Sequence, residues 1–178
     1  MKPSVIAAVL AASGVLAAGC GDTSSTSSSP TAAAQQMFQL NDGSLGLVIP
    51  TGWAARGYQT KYTIREVLME PEGDSHLESD AQALAAGGSA TGAHIIIFGG
   101  VSCTGGAWEL GPIETGTEGG VSFTGRKAKL LSQDKQCAYA KSGDREASAN
   151  LSAVKVLEQM TANGAITVTA GGAAPSGS

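Results

Sequence analysis

The stretch AHIIIFGG, residues 93–100, constrains the fold of this 178-residue chain more than any other stretch. Successive side chains of a strand point to opposite faces, so three consecutive Ile residues are all buried only when both faces are covered. An uninterrupted apolar run of this kind is typical of an interior strand. The stretch therefore predicts a central strand of a sheet that has other elements packed on each side.

Five more segments have the alternation or the β-branched and aromatic content of strands, and turn residues bound them. They are SLGLVIP (44–50), KYTIREVLME (61–70), VSFTGRKAKLL (121–131), QCAYAK (136–141) and AITVTA (165–170). Three Gly-rich stretches are expected to form turns and loops, because none leads into a clear helix with a Lys, as a phosphate-binding loop does. These are AAGGSATGAH (85–94), FGGVSCTGG (98–106) and ETGTEGG (114–120).

Two segments are predicted to be helical. The first starts at a capping box, in which Ser79 is followed three residues later by Gln82, and Gly87 ends it. The second covers 150–162, with Asn150 as its N-cap and a stop signal just after it. Its apolar face consists of Leu151, Val154, Leu157 and Met160. The alternative is a strand over LSAVKVL, which separates apolar from polar side chains poorly.

These elements predict an α+β fold, a largely antiparallel sheet with one short and one longer helix. Residues 37–170 are expected to form a single globular domain, and residues 171–178 a disordered tail of small residues. The chain is 42% hydrophobic but only 4% aromatic. The core is therefore built from Ala, Val, Leu and Ile, each of which buries less area than an aromatic ring.

The first 19 residues are typical of an export signal. Lys2 and the amino terminus supply positive charge, and a mostly apolar stretch runs from Val5 to Ala18. That stretch is shorter than the roughly 20 residues that a membrane-spanning helix needs. The sequence therefore predicts a cleaved signal peptide over residues 1–19.

The motif Leu16-Ala17-Ala18-Gly19-Cys20 resembles the lipobox of bacterial lipoproteins. In that family the Cys thiol receives a diacylglycerol and the signal is cut just before it, so the resemblance implies a lipid on Cys20. The family usually has Leu where this chain has Ala17. An ordinary secretory signal with an incidental Cys is the alternative. Residues 20–36, the lipidated Cys and a Ser/Thr/Ala-rich segment, are expected to form a flexible tether.

A second resemblance covers part of the folded region. LGLVIPTGW (45–53), a strand that ends in Pro and is followed by Gly and Trp, looks like the opening of PsbP/Mog1-like domains. The segment 121–131 and the late helix are similar to the later part of that fold. The Gly-rich stretch 99–120 and the strand after the last helix depart from the pattern. The resemblance implies an α+β fold and a role in binding or assembly rather than one shared chemistry.

Two further Cys residues, Cys103 and Cys137, are predicted to form a disulfide bond, because export places them where such bonds persist. Cys103 follows the predicted central strand and Cys137 begins another, so neighbouring strands would bring them together. The alternatives are two buried free thiols or a metal site with His94.

The sequence holds no Gly-x-Ser-x-Gly, Gly-x-Gly-x-x-Gly, P-loop or His-Glu-x-x-His motif. No catalytic, cofactor-binding or metal-binding residue is predicted from motifs, and no cofactor is expected. The two His residues, His76 and His94, are expected to be surface or hydrogen-bonded polar groups. A hydrolase on this chain would use scattered carboxylates, such as Glu66, Glu109 and Glu114.

Six polar residues occupy every second position of EPEGDSHLESD (70–80): Glu70, Glu72, Asp74, His76, Glu78 and Asp80. An extended chain would place them on one face, where oxygen ligands collect a hard cation. The spacing differs from that of an EF-hand loop, and a solvated acidic loop is the favoured interpretation.

The aromatic residues divide into a core group and possible anchors. Trp53 is expected in the core, with Tyr58 and Tyr62 nearby in sequence. Trp108, in a Gly-rich segment, is open between a core position and an exposed anchor for a partner or a glycan.

Net charge is −4, and the chain lacks a basic run, so nucleic acid is not an expected partner. The predicted function is that of a lipid-anchored, exported binding or accessory module of the bacterial cell envelope, facing the periplasm or the exterior. Its expected partners are the membrane, through the lipid, and an envelope protein. The alternatives are an envelope hydrolase that uses scattered carboxylates and a structural surface lipoprotein.

Overall fold

The computed structural model describes residues 36–41, 43–62, 65–73, 76–99, 106–133, 135–145 and 149–169. The chain divides into two units, Met1–Ala33 and Ala34–Ser178, and every described residue belongs to the second. The predicted signal peptide, Cys20, the tether up to residue 35 and the tail lie outside the described residues and stay predictions. Among the described residues, no helix is long and apolar enough to cross a membrane.

Strands dominate the described part of the chain. In chain order the elements are β1 (Gln36–Gln39), β2 (Leu45–Ile49), β3 (Trp53–Gln59), β4 (Arg65–Pro71), α1 (Leu77–Ala85), β5 (His94–Gly99), β6 (Ala107–Glu118), β7 (Val121–Ser132), β8 (Lys135–Arg145), α2 (Ser152–Ala162) and β9 (Ile166–Val168). Six of them form one sheet in the order β3-β4-β5-β8-β7-β6, and three form a second sheet in the order β1-β2-β9. All neighbouring strands are antiparallel, which confirms the predicted α+β class with antiparallel sheets.

The predicted central strand is confirmed. β5 lies inside the six-stranded sheet between β4 and β8. Ile95, Ile96 and Ile97 are at most 3% exposed, although they point to alternate faces. The other predicted strands correspond to β2, β4, β7, β8 and β9.

One side of the six-stranded sheet, here named the core face, is covered by other elements of the fold. The three-stranded sheet packs on it, and so does α2. The buried cluster there contains Val67, Met69, Ile95, Ile97, Ala128, Ala138 and Ala140 from the large sheet, Leu45, Leu47, Ile166 and Val168 from the small sheet, and Ala153, Leu157 and Met160 from α2. Trp53 belongs to the same cluster, so its predicted core position is confirmed.

Helix α1 packs on the opposite side of the large sheet, over β3 and β4. Ala81 of α1 closes a small apolar cluster with Leu68 and Ile96. Arg56 of β3 lies 3.0 Å from Glu78 of α1, and both side chains are more than half exposed, so this ion pair adds little stability.

The predicted capping box of α1 is wrong. The helix begins three residues earlier, with His76 instead of Ser79 at the N-cap position, and the Ser79 hydroxyl donates to the His76 carbonyl. The predicted end is confirmed. Gly87 has a positive φ of 85°, and the amides of Gly87 and Gly88 donate to the carbonyls of Leu84 and Ala83, which is a Schellman motif.

The second helix is confirmed as a helix, but its cap is not Asn150. α2 starts at Ser152, and a carboxylate from β8 caps it. Asp144, which is fully buried, accepts from the backbone amides of Ala153 and Val154 at 2.9 Å each and from the Ser152 hydroxyl at 3.1 Å. An anion at a helix N-terminus also interacts favourably with the helix dipole. The predicted stop after Ala162 is confirmed by Gly164, whose φ is positive.

Three strands lie where the sequence pattern predicts none: β1, β3 and β6. The largest discrepancy is β6, because ETGTEGG is not a loop: its first five residues belong to this 12-residue strand. Gly111 and Pro112 lower the strand propensity of β6, and the pairing with β7 accommodates them through an irregular register between Leu110 and Ile113. Only Gly119 and Gly120 form the turn.

Candidate functional site

Strands β6, β7 and β8 point one set of side chains away from the core face, on the side of the sheet that also carries α1. Cross-strand register places there Glu109, Glu114 and Glu118 of β6, Lys127 and Lys129 of β7, and Tyr139 and Lys141 of β8. These seven residues are named the charged face. The alternation of side chains along each strand produces both faces, because the residues between them, such as Ala128 and Ala140, enter the core.

Each acidic residue of the charged face lies beside a Lys. Lys141 Nζ is 2.9 Å from both carboxylate oxygens of Glu118, and Lys127 Nζ is 3.7 Å from Glu114 Oε2. Lys129 stands opposite Glu109 in the register. The Glu118–Lys141 pair is the better shielded of the two ion pairs, with side chains 35% and 26% exposed, against 58% and 60% for Glu114 and Lys127. The charges therefore cancel locally, and one pair is held firmly.

A cavity of about 160 Å³ lies among the side chains of both ion pairs. Its floor includes the backbone of Gly125 and Gly143. A Cβ at Gly125 would lie 2.0 Å from the Ser142 carbonyl oxygen, and a Cβ at Gly143 would lie 2.7 Å from the imidazole of His94. Neither position has room for a side chain, so both glycines are needed for the close approach of Ser142 and His94 beside the cavity.

His94 of β5 lies directly behind two residues that line this cavity, Gly143 and Phe123, and is 1% exposed. Its ring occupies the space above Gly143 and meets the ring of Phe123, another cavity residue, edge to face at a centroid distance of 5.1 Å. Of the two expected environments, His94 does not have the surface one, and one of its two ring nitrogens is hydrogen-bonded.

The two ring nitrogens of His94 differ. Nδ1 donates to the Gly92 carbonyl oxygen at 2.9 Å, which leaves Nε2 with its lone pair. Nε2 has no hydrogen-bond partner among the described residues and lies 4.0 Å from Glu118 Oε2. Burial lowers the pKa of His94 below its usual value, so the neutral ring is favoured. The result is a buried hydrogen-bond acceptor aimed at the Glu118 carboxylate.

Asp80 of α1 positions the loop that holds His94. It is 3% exposed, and its carboxylate accepts from the Thr91 amide at 2.5 Å, from the Thr91 hydroxyl at 3.1 Å and from the Gly92 amide at 3.4 Å. Gly92 in turn accepts from His94. A chain of hydrogen bonds thus connects α1 to the imidazole and restricts its orientation.

An aromatic pair lies one row further along the same side of the sheet. Phe98 of β5 and Tyr139 of β8 are cross-strand partners whose ring centroids are 5.2 Å apart. Both are partly exposed. Burial and the nearby carboxylates of Glu118 and Glu114 raise the pKa of Tyr139.

The three carboxylates predicted for a hydrolase do not form one site. Glu114 lines the cavity, and the structure adds Glu118 beside it. Glu109 lies on the charged face but not at the cavity. Glu66 is on β4, where it accepts a hydrogen bond from Tyr58, and this bond together with burial raises the Tyr58 pKa.

The favoured interpretation of residues 70–80 as a solvated acidic loop is wrong for Glu70 and Asp80, and the described part of the stretch does not form one extended face either. Glu70 is buried in β4, His76 caps α1, and Glu78 and Asp80 belong to that helix. Asp74 lies outside the described residues. Within the ranges that the structure describes, no group of three or more His, Cys, Asp or Glu residues is placed to hold a metal ion.

The Cys103–Cys137 disulfide stays a prediction, because Cys103 lies outside the described residues. The strand pairing on which it rests is observed, since Gly99 at the end of β5 pairs with Ala138 of β8. Cys137 is half-buried at a register irregularity of β8 and packs against the main core.

Trp108 is closer to a core residue than to an exposed anchor. It is partly buried, and it packs against the main cluster from β6. Tyr62, by contrast, is 72% exposed.

Sequence reasoning missed Glu118 and Lys141 as site residues. The available signal was alternation by two: Lys127 and Lys129 flank Ala128, and Tyr139 and Lys141 flank Ala140. This pattern marks a strand with one polar face. It does not indicate which polar faces meet.

No protein-family model matches the chain, and the comparisons with curated proteins and with solved structures found no match.

Proposed function

We propose that the chain is a lipid-anchored, exported binding module of the bacterial cell envelope, held at a membrane through Cys20, and that the charged face binds its ligand. The lipobox resemblance and the Ser/Thr/Ala-rich segment after it support the anchor. Two or more acyl chains bind a membrane durably, whereas one binds only marginally.

The observation that carries the binding role is the contrast in cover across the large sheet. The core face is buried under α2 and the small sheet, whereas α1 on the other side packs over β3 and β4. The charged face beyond α1 retains exposed Lys and Glu side chains around a cavity. A surface with both charges, aromatic rings and a concave centre is typical of a recognition site.

The anchor is tested by Cys20→Ala in the native host. The variant is expected to leave the membrane fraction or to remain unprocessed, and mass spectrometry of the wild-type chain is expected to show a lipid on Cys20. Equal fractionation of both forms, with no lipid detected, contradicts the anchor.

The binding face is tested by photo-crosslinking in cells. A photoreactive residue replaces Lys129 on the charged face or, as the matched control, Lys155, which is exposed on α2. Adducts from position 129 but not from position 155 support the proposal. Equal adducts from both positions contradict it and favour a structural surface lipoprotein.

One observation favours a second function, that of an envelope hydrolase. Glu114 and Glu118 line one cavity, and the acceptor nitrogen of His94 lies 4.0 Å from Glu118 Oε2. Such a site has the carboxylate and imidazole groups of general acid–base catalysis. The test is turnover of chromogenic esters and glycosides by the full chain. Turnover that Glu118→Gln abolishes supports this function, and absence of turnover contradicts it.

The likeness to PsbP/Mog1-like domains also stays a proposal. Its motif, residues 45–53, forms β2, the turn at Gly52 and the first residue of β3. A binding or assembly role is what that likeness adds.

A further inference from the structure

We propose that the ligand of the charged face is a short saccharide, with one ring in the cavity beside His94 and the next ring on the Phe98–Tyr139 pair. This inference rests on the proposed binding function and names the class of ligand.

The first argument concerns charge. The cavity is lined by two carboxylates and three cationic groups, which pair as Glu118 with Lys141, Glu114 with Lys127, and Arg126 with Glu158 of α2. A neutral His94 adds no charge. Because the charges cancel, neither a strongly anionic nor a strongly cationic ligand gains from entering. A neutral ligand with many hydrogen-bonding groups suits such a site.

The second argument concerns hydrogen bonding. His94 Nε2 and Glu118 Oε2 are both acceptors, they lie 4.0 Å apart, and Nε2 is buried without a partner among the described residues. A buried acceptor without a donor is costly, so the pair favours a ligand that supplies hydroxyl donors. Two adjacent hydroxyls of a sugar ring can each donate to one acceptor, and Lys141 can donate to a ring or hydroxyl oxygen.

The third argument concerns shape. Tyr139 is two residues from Lys141 on the same face of β8, a separation of roughly 7 Å along a strand. The aromatic pair therefore lies next to the cavity, within reach of a ligand of more than one sugar ring. The paired rings of Phe98 and Tyr139 are only partly buried. They offer an aromatic surface for the C–H face of a second sugar ring, and this adds contact area without a charge requirement.

The experiment uses the full chain, purified in a zwitterionic detergent, because glycoside detergents would compete. Chitotetraose, cellotetraose and maltotetraose are titrated by calorimetry, with tetraglycine as a non-saccharide probe. We expect at least one saccharide to bind and tetraglycine not to bind. Glu118→Gln and Tyr139→Ala are each expected to weaken saccharide binding by about tenfold or more. The matched control Lys155→Ala is expected to bind as the wild type does.

Three outcomes overturn the saccharide inference: no binding of any of the three saccharides, unchanged binding in both variants, or binding of tetraglycine instead. Because the substitutions lie on the partly exposed face, circular dichroism is expected to show the wild-type fold in each. The crosslinking experiment separates the two proposals. Adducts with a protein from position 129, together with no saccharide binding, overturn only the saccharide. If position 129 gives no specific adducts and no saccharide binds, the binding function is overturned too.

Discussion

Alternate residues of β6, β7 and β8 form the two faces of the six-stranded sheet, and the two faces have opposite roles. On the core face, Ala128, Ala138 and Ala140 are almost completely buried and allow α2 to pack closely. On the charged face, the residues between them are Lys127, Lys129, Tyr139 and Lys141. Stability is thus concentrated on one face, and recognition chemistry is available on the other.

Cavities show the same contrast. Helix α2 packs against the small side chains of the core face, whereas a cavity lies beside Gly125 and Gly143 on the other face. The same strands therefore support close packing on one face and a cavity on the other.

The strongest test of the contrast is Leu157→Ala, since Leu157 of α2 is 0% exposed in the core cluster. The expected cost is about 4 kcal/mol of unfolding free energy, because the cavity left by the side chain cannot collapse fully. Urea unfolding measures it. Lys129→Ala on the charged face is the control, expected within about 0.5 kcal/mol of the wild type. Similar costs for both would erase the distinction between the faces.

The predicted Cys103–Cys137 disulfide would fasten the core face where Cys137 packs. Closing a loop of about 35 residues is expected to contribute roughly 3–4 kcal/mol in the chain-entropy model. Thiol labelling of the denatured, unreduced Cys20→Ala chain is expected to detect no reactive thiol. Two labelled thiols per chain would contradict the bond, and reduction would then leave the unfolding midpoint unchanged.

Asp144→Ala tests how the core face retains its helix. The buried carboxylate accepts from two amides and one hydroxyl at the start of α2, so its removal is expected to cost about 2–3 kcal/mol. Asp144→Asn keeps one acceptor oxygen and should cost less. Thermal unfolding of the three proteins ranks them. An Asp144→Ala protein as stable as the wild type would show that the cap is dispensable.

The smallest effect is a pH dependence located at His94. Its pKa is lowered in the folded chain, mainly by burial, while Glu118 and Asp80 oppose that shift and Lys141 adds to it. The unfolded chain therefore takes up a proton first as pH falls. The free energy of unfolding is expected to be independent of His94 titration above about pH 6.5. Below that pH it is expected to decrease by up to about 1.4 kcal/mol per pH unit, until the pKa of His94 in the folded chain is reached.

The measurement is the unfolding free energy of the wild type and of His94→Gln between pH 7.5 and about pH 5. The Gln variant is expected to lose the part of the slope that belongs to His94, whatever its stability at pH 7.5. Parallel slopes in the two proteins would mean that the imidazole is not held neutral.

Much of the architecture was predictable because its signals are local. The Ile95–Ile97 run required burial on both faces, and the structure has β5 inside the sheet. Gly87 ended α1 as expected, since it takes a positive φ that other residues adopt at a cost. β6 was missed because its Gly and Pro residues favour turns, and pairing with β7 along its length outweighs that preference.

The candidate site depended on tertiary structure. His94, Glu118 and Lys141 are distant in sequence. The strand order and register place His94 4.0 Å and Lys141 2.9 Å from the carboxylate of Glu118. The alternation in β7 and β8 shows that each strand has a polar face. Many different neighbouring strands are compatible with that alternation, so it does not identify the neighbours. Asp144 likewise caps a helix that starts eight residues later, after an intervening loop. The sequence by itself determined the burial of the Ile run and the ends of both helices, because these follow from local periodicity and backbone freedom. The identity of the neighbours was decided by non-local pairing, because register and helix packing are set by the energy of the whole core.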